Sequence, residues 1–519
     1  MNTRITVKFL GGVADGKNLT GSCILLLIEH EKKITRTLID IGLIQSREDF
    51  LERNKELLNQ LNPKTLDSII LTHSHIDHIG RLPLLIKYGF GERGRIICTK
   101  ATSGLLSVML EDSARIQMVD IGRLKSRENK KNSKKAKNFS HSDLTLGNYE
   151  RKKWKKHAKN KTVPIESLYT MLDVKKACNL IKNDGIEYFI WIKLANNISL
   201  KLYPSGHVLG GAICVIKIKT KTKDVYLGFS GDLGRQDGVI LPPPEMIQEP
   251  IDYWFIESTY GGKIHPPREE EINKLISLIR KAQEKKQKII IPSFALERAQ
   301  EIIFLLSYYI QNKKISPITI YLDSPMAAKI TEIFAANWQT GMFLGQEKLK
   351  FNPFDIKENK FLKIIGSWED SEALIASAGP YIAIAGSGMC NAGRIREHLR
   401  AGLGRSDTVI CLVGYMAEDS LGKKLKDGLP IVKMNNEEII VKAEIVSFDS
   451  FSAHADSTFL VSYTNEVMAK NPDDTKKIFI IHGEEMSAAF LKLALLDSVS
   501  HNQKHKIVIP KMGEEQILL

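Results

Sequence analysis

The chain has few cysteines and no long apolar run, and each shortage excludes a class of protein. Six cysteines are scattered among 519 residues without a C-x-x-C pair. This spacing argues against a cysteine zinc knuckle and a disulfide framework, so we expect reduced, mostly buried thiols. No apolar run approaches the roughly 18 residues of a membrane-spanning helix. The opening MNTRITVKFLGG lacks the features of a secretory signal. We therefore expect a cytoplasmic protein with no membrane segment.

The remaining composition is that of a globular protein. Apolar residues make up 43% and charged residues 26% of the chain, which excludes a mainly disordered or collagen-like protein. The net charge of +14 is unevenly distributed, because residues 121–162 hold 15 Lys/Arg and 3 Asp/Glu. This stretch is too polar to form a core, and we expect a mobile surface insertion. It is either an inert solvated loop or an arm that attracts a polyanion by counterion release.

The order of predicted strands and helices indicates two α/β units. Up to about residue 260, short β-rich runs alternate with amphipathic runs, which predicts a layered αβ/βα sandwich. From about residue 261, long helix patterns alternate with buried strand patterns such as KIIIPSFAL and YIAIAGSG. This alternation predicts a second, parallel α/β unit. After residue 427 the chain returns to short β runs.

The segment HSHIDH, residues 73–78, carries the strongest chemical signal. It follows the short apolar strand DSIILT. His73 and His75 are two apart, so in an extended segment they point the same way. The following turn presents Asp77 and His78 towards a second position. One loop can thus supply ligands to two metal ions, and imidazole with carboxylate suits Zn²⁺ and related ions.

Five further residues of ligand type lie at the ends of predicted strands, where α/β folds place their active sites. Each alone would be unremarkable, but together they form a pattern. They are Asp40, His207, Asp232, His454 and His482.

At this point the sequence resembles the metallo-β-lactamase superfamily, and in particular its β-CASP branch of nucleic-acid-processing nucleases. HSHIDH, SGHVLGGA and FSGDLGR are similar to the superfamily motifs. The branch is indicated by IESTYGG, PSFALERAQEI, LDSPMA, GSGMCNAGR, GYMAEDSLGKKL, FSAHAD and HGE, in that order. Within this branch, the sequence resembles the RNA-processing type, which includes bacterial and archaeal relatives of the pre-mRNA 3′-end cleavage endonuclease.

The resemblance implies a fold and domain limits. The fold would be a metallo-β-lactamase αβ/βα sandwich with an inserted parallel α/β β-CASP domain. Residues 1–260 would form the first part of the lactamase domain, 261–442 the β-CASP domain, and 443–519 the C-terminal part of the lactamase domain. The basic stretch 121–162 would interrupt the first part.

The resemblance also implies roles for the candidate residues. His73, His75 and His207 would hold one zinc ion, and Asp77, His78 and His482 a second. Asp232 would bridge the two, and Asp40 would orient a ligand in the HSHIDH loop. Manganese or iron could replace zinc, since His/Asp ligands discriminate weakly.

The chemistry that follows is hydrolysis of a phosphodiester by a hydroxide that two metals activate. His454 would protonate the leaving oxygen as general acid, and Glu257 would orient it or stabilise its charge. Asp77 and Asp232 would complete the catalytic set. We expect Arg298, Ser387 and Arg394 to contact RNA phosphates, or else to form salt bridges and turns. His398 and His265 are expected on helix or loop surfaces.

The predicted function is a ribonuclease acting on single-stranded RNA, endonucleolytic or alternatively exonucleolytic. RNA-processing members of the branch carry His at the last metal position, here His482, which favours RNA. Two alternatives stay open. One is a small-ester or thioester hydrolase of the same fold, against which the inserted unit argues. The other is a silent RNA-binding subunit, against which the complete ligand set argues. The oligomeric state is open, with a homodimer as one option.

Overall fold

The computed structural model describes most of the chain. The described residues are 3–14, 20–45, 49–132, 166–181, 185–414, 416–435, 437–471, 477–498 and 506–519, with the side chains of 120 and 122–132 left out. Within these ranges, no helix combines the length and apolar character that crossing a bilayer requires.

The strands and helices alternate along the chain much as the sequence pattern predicts. The strands are β1 (Arg4–Gly11), β2 (Cys23–His30), β3 (Lys33–Ile39), β4 (Ser68–Ile70), β5 (Arg95–Ile97), β6 (Ile192–Ala195), β7 (Ile198–Pro204), β8 (Ala212–Lys219), β9 (Asp224–Phe229), β10 (Tyr253–Glu257), β11 (Lys288–Pro292), β12 (Ile320–Asp323), β13 (Leu362–Ile364), β14 (Tyr381–Ala385), β15 (Thr408–Val413), β16 (Ile431–Met434), β17 (Glu437–Ile440), β18 (Glu444–Phe448), β19 (Lys477–Ile481), β20 (Ile507–Val508) and β21 (Glu515–Ile517). The helices are α1 (Phe50–Gln60), α2 (Ile76–Ile79), α3 (Leu82–Lys87), α4 (Lys100–Asn132), α5 (Met171–Leu180), α6 (Arg268–Glu284), α7 (Arg298–Gln311), α8 (Pro325–Asn337), α9 (Trp368–Ala376), α10 (Ile395–Gly402), α11 (Leu421–Lys426), α12 (Ser457–Ala469) and α13 (Glu485–Ser498).

Two sheets face each other and form a sandwich. The first has the strand order β21-β1-β2-β3-β4-β5 and the second β20-β19-β10-β9-β8-β7-β6. Alternate side chains of their strands meet in one apolar core, in which the ring of Phe255 stacks between Phe229 and Phe479. Helices α12 and α13 cover the outer face of the second sheet through Leu460 and Leu491. Helices α1, α3, α4 and α5 belong to the core outside the first sheet. The predicted αβ/βα sandwich is confirmed.

The third large sheet is parallel throughout, with the order β13-β12-β14-β11-β15-β18. Strands β11 and β14 are buried along their whole length, as strands covered on both faces must be. Apolar residues of α6, α7 and α8 cover one face, and those of α10 and α11 lie against the other. This arrangement confirms the predicted inserted α/β unit. The exact domain limits stay a proposal, and β18 pairs within the third sheet although it lies beyond residue 442.

The basic stretch 121–162 begins inside a helix. Helix α4 continues to Asn132, so the first residues of the stretch have helical backbone. The remainder, from residue 133, lies outside the described residues, and its role stays a prediction.

Candidate metal centre

The histidine-rich loop follows β4 directly. Residues 71–75 leave the strand without forming a helix, and His75, with extended backbone, is the N-cap of the short helix α2. Because His73 and His75 are two residues apart in this segment, their rings face the same space. Nε2 of His73 lies 3.1 Å from Nδ1 of His75. The turn into α2 then carries Asp77 and His78 to a neighbouring position.

Side chains from distant parts of the chain complete two groups of ligand type. Nε2 of His207, in the loop after β7, lies 3.2 Å from Nδ1 of His75. The first group comprises His73, His75, His207 and Asp232, and the second comprises Asp77, His78 and His482. Within each group the candidate ligand atoms lie within 4.8 Å of one another. All seven predicted ligands are therefore brought together.

Asp232 lies between the two groups. Its Oδ2 atom is 3.5 Å from Nε2 of His73 and 3.5 Å from Nε2 of His207. Its Oδ1 atom is 3.3 Å from Nε2 of His78 and 3.5 Å from Nε2 of His482. One carboxylate oxygen thus faces each group, which is the arrangement that a bridging ligand needs.

Asp40 orients His78, a member of the second group. Its Oδ2 atom lies 2.7 Å from Nδ1 of His78 and also accepts the Thr72 hydroxyl at 2.8 Å. Its Oδ1 atom accepts the backbone N–H of Thr72 at 2.7 Å. The carboxylate therefore fixes the His78 ring so that Nε2 points at Asp232, as predicted for a residue that orients a ligand.

Ser22 plays the corresponding part for His482, and sequence reasoning missed it. Its Oγ lies 2.7 Å from Nδ1 of His482. The His482 backbone, at a positive φ of 46°, donates its N–H to the carbonyl of Gly12. Nothing in the segment GSCILLL marks Ser22, because its partner is 460 positions away.

The residues of the first group carry the charges that a metal site requires. Burial lowers the pKa of His73 and His207 well below the usual value and lowers that of His75 to about 4. These three imidazoles are neutral at pH 7 and offer lone pairs. Burial raises the pKa of Asp232, but the nearby imidazoles, above all that of His482, lower it by more, so the net shift is downward. Asp232 is therefore ionised.

The site fits divalent metal ions of the zinc type. Nε2 of His78 and Oδ1 of Asp232 are buried and find no hydrogen-bond partner among the described residues. A buried acceptor without a partner is costly, and a shared cation between these two atoms would remove that cost. Five imidazoles and two carboxylates form the mixed N/O donor set that Zn²⁺ accepts. The fold implies divalent metal binding, and these residues could supply it.

His454 and Glu257 form a buried pair beside the metal centre. Nδ1 of His454 lies 3.3 Å from Oε1 of Glu257, and the two imidazole rings of His454 and His207 have centroids 4.4 Å apart. Backbone N–H groups of Leu233 and Thr259 donate to the Glu257 carboxylate at 2.7 and 3.1 Å. Burial alone would lower the pKa of His454, but the Glu257 carboxylate outweighs it and raises that pKa to about 9.

Two neighbours of His454 gave no clear signal in the sequence. The ring of Tyr260 lies 6.0 Å from that of His454, centroid to centroid. Nε2 of His265 lies 3.0 Å from the His454 carbonyl oxygen and donates to it. His265 was expected on the surface, but it is partly buried and fixes the backbone of the loop that carries His454.

Arg298 lies in a buried charge cluster rather than at an open surface. Arg298 pairs with Glu301, which also pairs with Arg268. The guanidinium of Arg298 lies over the ring of Phe451. The preceding residue, Glu297, accepts the backbone N–H of Leu209 at 3.2 Å, two residues after His207. This cluster joins α7 of the inserted unit to the loop that carries His207.

Arg394 and Ser387 also have internal partners. Arg394 donates to Asp323 at 2.7 Å and to the carbonyls of residues 365 and 366 at 3.1 and 3.0 Å. The Ser387 hydroxyl donates to the carbonyl of Ala392 at 3.2 Å. The expectation of a surface position for His398 is wrong, because its side chain is 1% exposed and its Nε2 lies 2.7 Å from Asp323. The apolar side of α10 packs into the core and takes His398 with it.

Comparison with family models finds three matches along the chain. Residues 20–91 match the metallo-beta-lactamase superfamily, residues 299–425 the Beta-Casp domain, and residues 438–509 the Zn-dependent metallo-hydrolase RNA specificity domain. The first match contains the histidine-rich loop and the third contains His454 and His482.

Comparison with curated proteins finds relatives that align over most of the chain. A ribonuclease of Thermus thermophilus is 28% identical over 96% of this chain and 97% of its own. The transcription termination factor FttA of Methanocaldococcus jannaschii is 27% identical over 98% of this chain and 70% of its own. An RNase J-like protein of the same organism is 25% identical over 92% of this chain and 93% of its own.

Proposed function

The chain belongs to the β-CASP branch of the metallo-β-lactamase superfamily and is a metal-dependent, RNA-processing nuclease of that branch, and from this premise we propose a zinc enzyme that hydrolyses single-stranded RNA with two metal ions. The resemblance predicted from the motifs is confirmed at the level of the family. The position of Asp232 carries the proposal, because each of its carboxylate oxygens faces one group of candidate ligands.

We assign the ligands as the geometry groups them. His73, His75 and His207 would hold one ion, Asp77, His78 and His482 the other, and Asp232 would bridge them. When bound, two such ions supply Lewis acidity and activate water for attack on a phosphorus atom. The imidazole-rich donor set supports zinc, as does the matched model described as zinc-dependent. Manganese or iron is an outcome that a metal analysis of the purified protein distinguishes.

The protein's own residues handle the leaving group. Nδ1 of His454 is occupied by Glu257, which leaves Nε2 as the atom that can give a proton to the leaving oxygen. The Glu257 carboxylate favours the protonated ring and, held by two backbone N–H groups, fixes its orientation. His265 holds the His454 main chain in place. We therefore assign His454 as general acid and Glu257 as its positioning partner.

RNA is the substrate we propose, with cleavage at internal bonds. The RNA specificity match at residues 438–509 and the names of the relatives support RNA. The motif set that resembles the 3′-end cleavage endonuclease supports internal cleavage. We retain Arg298, Ser387 and Arg394 as phosphate-contact candidates, although each also has an internal partner. A cytoplasmic location agrees with six free cysteines.

The test uses linear and circular labelled RNA with and without a chelator. We expect cleavage of both forms, loss of cleavage on chelation, and recovery on adding zinc. Cleavage of linear RNA alone would make the enzyme an exonuclease. Binding without cleavage would support the silent RNA-binding alternative, and hydrolysis of a thioester without action on RNA would support the small-ester alternative. An Asp232→Ala variant is the control for contaminating nucleases.

A further inference from the structure

The parallel sheet contains a crevice whose position follows from its strand order. From β11 the chain crosses to β12 on one side, and from β14 it crosses to β15 on the other side of β11. The loops after β11 and β14 therefore leave in opposite directions, and a crevice opens between them at the carboxyl ends of the strands. In open α/β sheets this is where ligands bind.

Phe294 lies in this crevice. It comes two residues after the end of β11, and its side chain is 39% exposed. The loop after β14 packs against it through Gly388, where an added Cβ would stand 2.8 Å from Cδ2 of the Phe294 ring, too close for any side chain. The loop after β15 contributes Gly414, where an added Cβ would stand 4.0 Å from Cε2 of the ring. The two neighbouring loops present glycines to the ring, so no side chain from these positions covers it.

The loop that carries Phe294 continues to the metal centre. Its first residue, Ser293, donates its backbone N–H to Ala385 at 2.9 Å, which ties it to β14. Its last residue, Glu297, accepts the N–H of Leu209, two residues after His207. Phe294 therefore lies three residues before Glu297, which contacts the loop that carries the candidate metal ligand His207.

We propose that Phe294 is a stacking platform for one nucleobase of the RNA strand, at a fixed distance from the bond that is cleaved. The inference rests on the proposed ribonuclease function and deepens it. An exposed aromatic ring in a crevice suits a base because every base has a π face, so the contact tolerates any sequence. The main chain at Gly388 packs against one flank of the ring and supports it, while the exposed part of the ring remains available to a base.

The test combines an abasic scan of the RNA with three variants at residue 294. RNAs of one sequence, each with one abasic nucleotide, are bound in the presence of a chelator so that cleavage does not interfere. We expect the wild-type protein to bind one of these RNAs more weakly than intact RNA, namely the one whose abasic nucleotide removes the base that stacks on Phe294. Phe294→Ala and Phe294→Leu should weaken binding of intact RNA by roughly fivefold to a hundredfold, the range for one base stack. They should also lose the response to the abasic nucleotide at that position, whereas Phe294→Tyr should keep it.

Trp368 provides a matched control. It is 46% exposed and follows β13, at the far edge of the same sheet. Trp368→Ala should leave the response at the Phe294 position intact. An abasic profile unchanged in Phe294→Leu, with cleavage of RNA intact, would overturn the inference and leave the proposed function standing. A wild-type protein that neither binds nor cleaves RNA would overturn both.

Discussion

Nδ1 of His454 lies 3.3 Å from Oε1 of Glu257, although the two residues are 197 positions apart. Glu257 ends β10 of the sandwich and is wholly buried, whereas His454 lies in the loop after β18 of the inserted sheet. The pair therefore forms only when the chain returns from the inserted unit to the lactamase part. An isolated antiparallel β-bridge between Gly234 and His454 holds the returning segment close to Asp232.

His454→Ala should keep both metal ions and lose most cleavage. The ring is placed to donate a proton and is not a member of either ligand group, so we expect kcat to fall by roughly a hundredfold or more. Metal content by mass spectrometry and single-turnover cleavage of RNA measure the two effects. His30→Ala is the control, because His30 lies in the first sheet and pairs with Thr3. It should change neither the metal content nor the rate of cleavage. Loss of one ion in His454→Ala would show that its role is misassigned.

Glu257→Gln should act through His454 and not independently of it. Removing the carboxylate charge removes the partner that favours the protonated ring, so cleavage should fall. In the double variant Glu257→Gln/His454→Ala, cleavage should be hardly slower than in His454→Ala, because residues that act as a unit are not additive. Rate constants for the four proteins give the coupling. Additive losses would mean that Glu257 has a separate task.

Ser22→Ala should weaken metal binding at the second group. Its hydroxyl is the partner of Nδ1 of His482, and loss of such a partner typically costs tenfold or more in metal affinity. Titration against a chromogenic chelator measures the effect. Ser74→Ala is the matched control, since the Ser74 hydroxyl is buried between two candidate ligands without a partner among the described residues. Equal affinities of the two variants would show that Ser22 does not orient His482.

Deleting residues 125–161 should weaken RNA affinity and flatten its dependence on salt. The stretch 121–162 carries 15 Lys/Arg against 3 Asp/Glu, and each phosphate that a cation neutralises adds about 0.7 to the slope of log affinity against log salt for single strands. A variant of full length with these Lys and Arg changed to Gln separates charge from length. An unchanged slope in both variants would make the insertion a bystander.

The fold class predicted from the sequence is confirmed, and the candidate ligands that the sequence singles out lie together in the structure, for physical reasons. HSHIDH encodes its geometry locally, because an extended run and the first turn of α2 fix the directions of four side chains. The parallel sheet is predicted because its strands are apolar throughout, as in β11 and β14. Asp40, His207, Asp232, His454 and His482 are visible because they follow strands.

What the sequence could not predict are the partners of those side chains. Ser22 and His482, Glu297 and Leu209, and Asp323 and His398 meet only through the packing of distant segments. None of these pairs has a periodicity or spacing that marks it. The surface position expected for His398 was wrong for this reason, since helix pattern alone does not show that Asp323 lies opposite.

The most direct test is a crystal structure of the zinc-loaded protein with anomalous diffraction recorded at the zinc edge. The account predicts two anomalous peaks about 3.5–4 Å apart, one within bonding distance of His73, His75 and His207 and one of Asp77, His78 and His482, with Asp232 touching both. A protein that cleaves RNA while holding one ion, or two ions with Asp232 bound to neither, would contradict it.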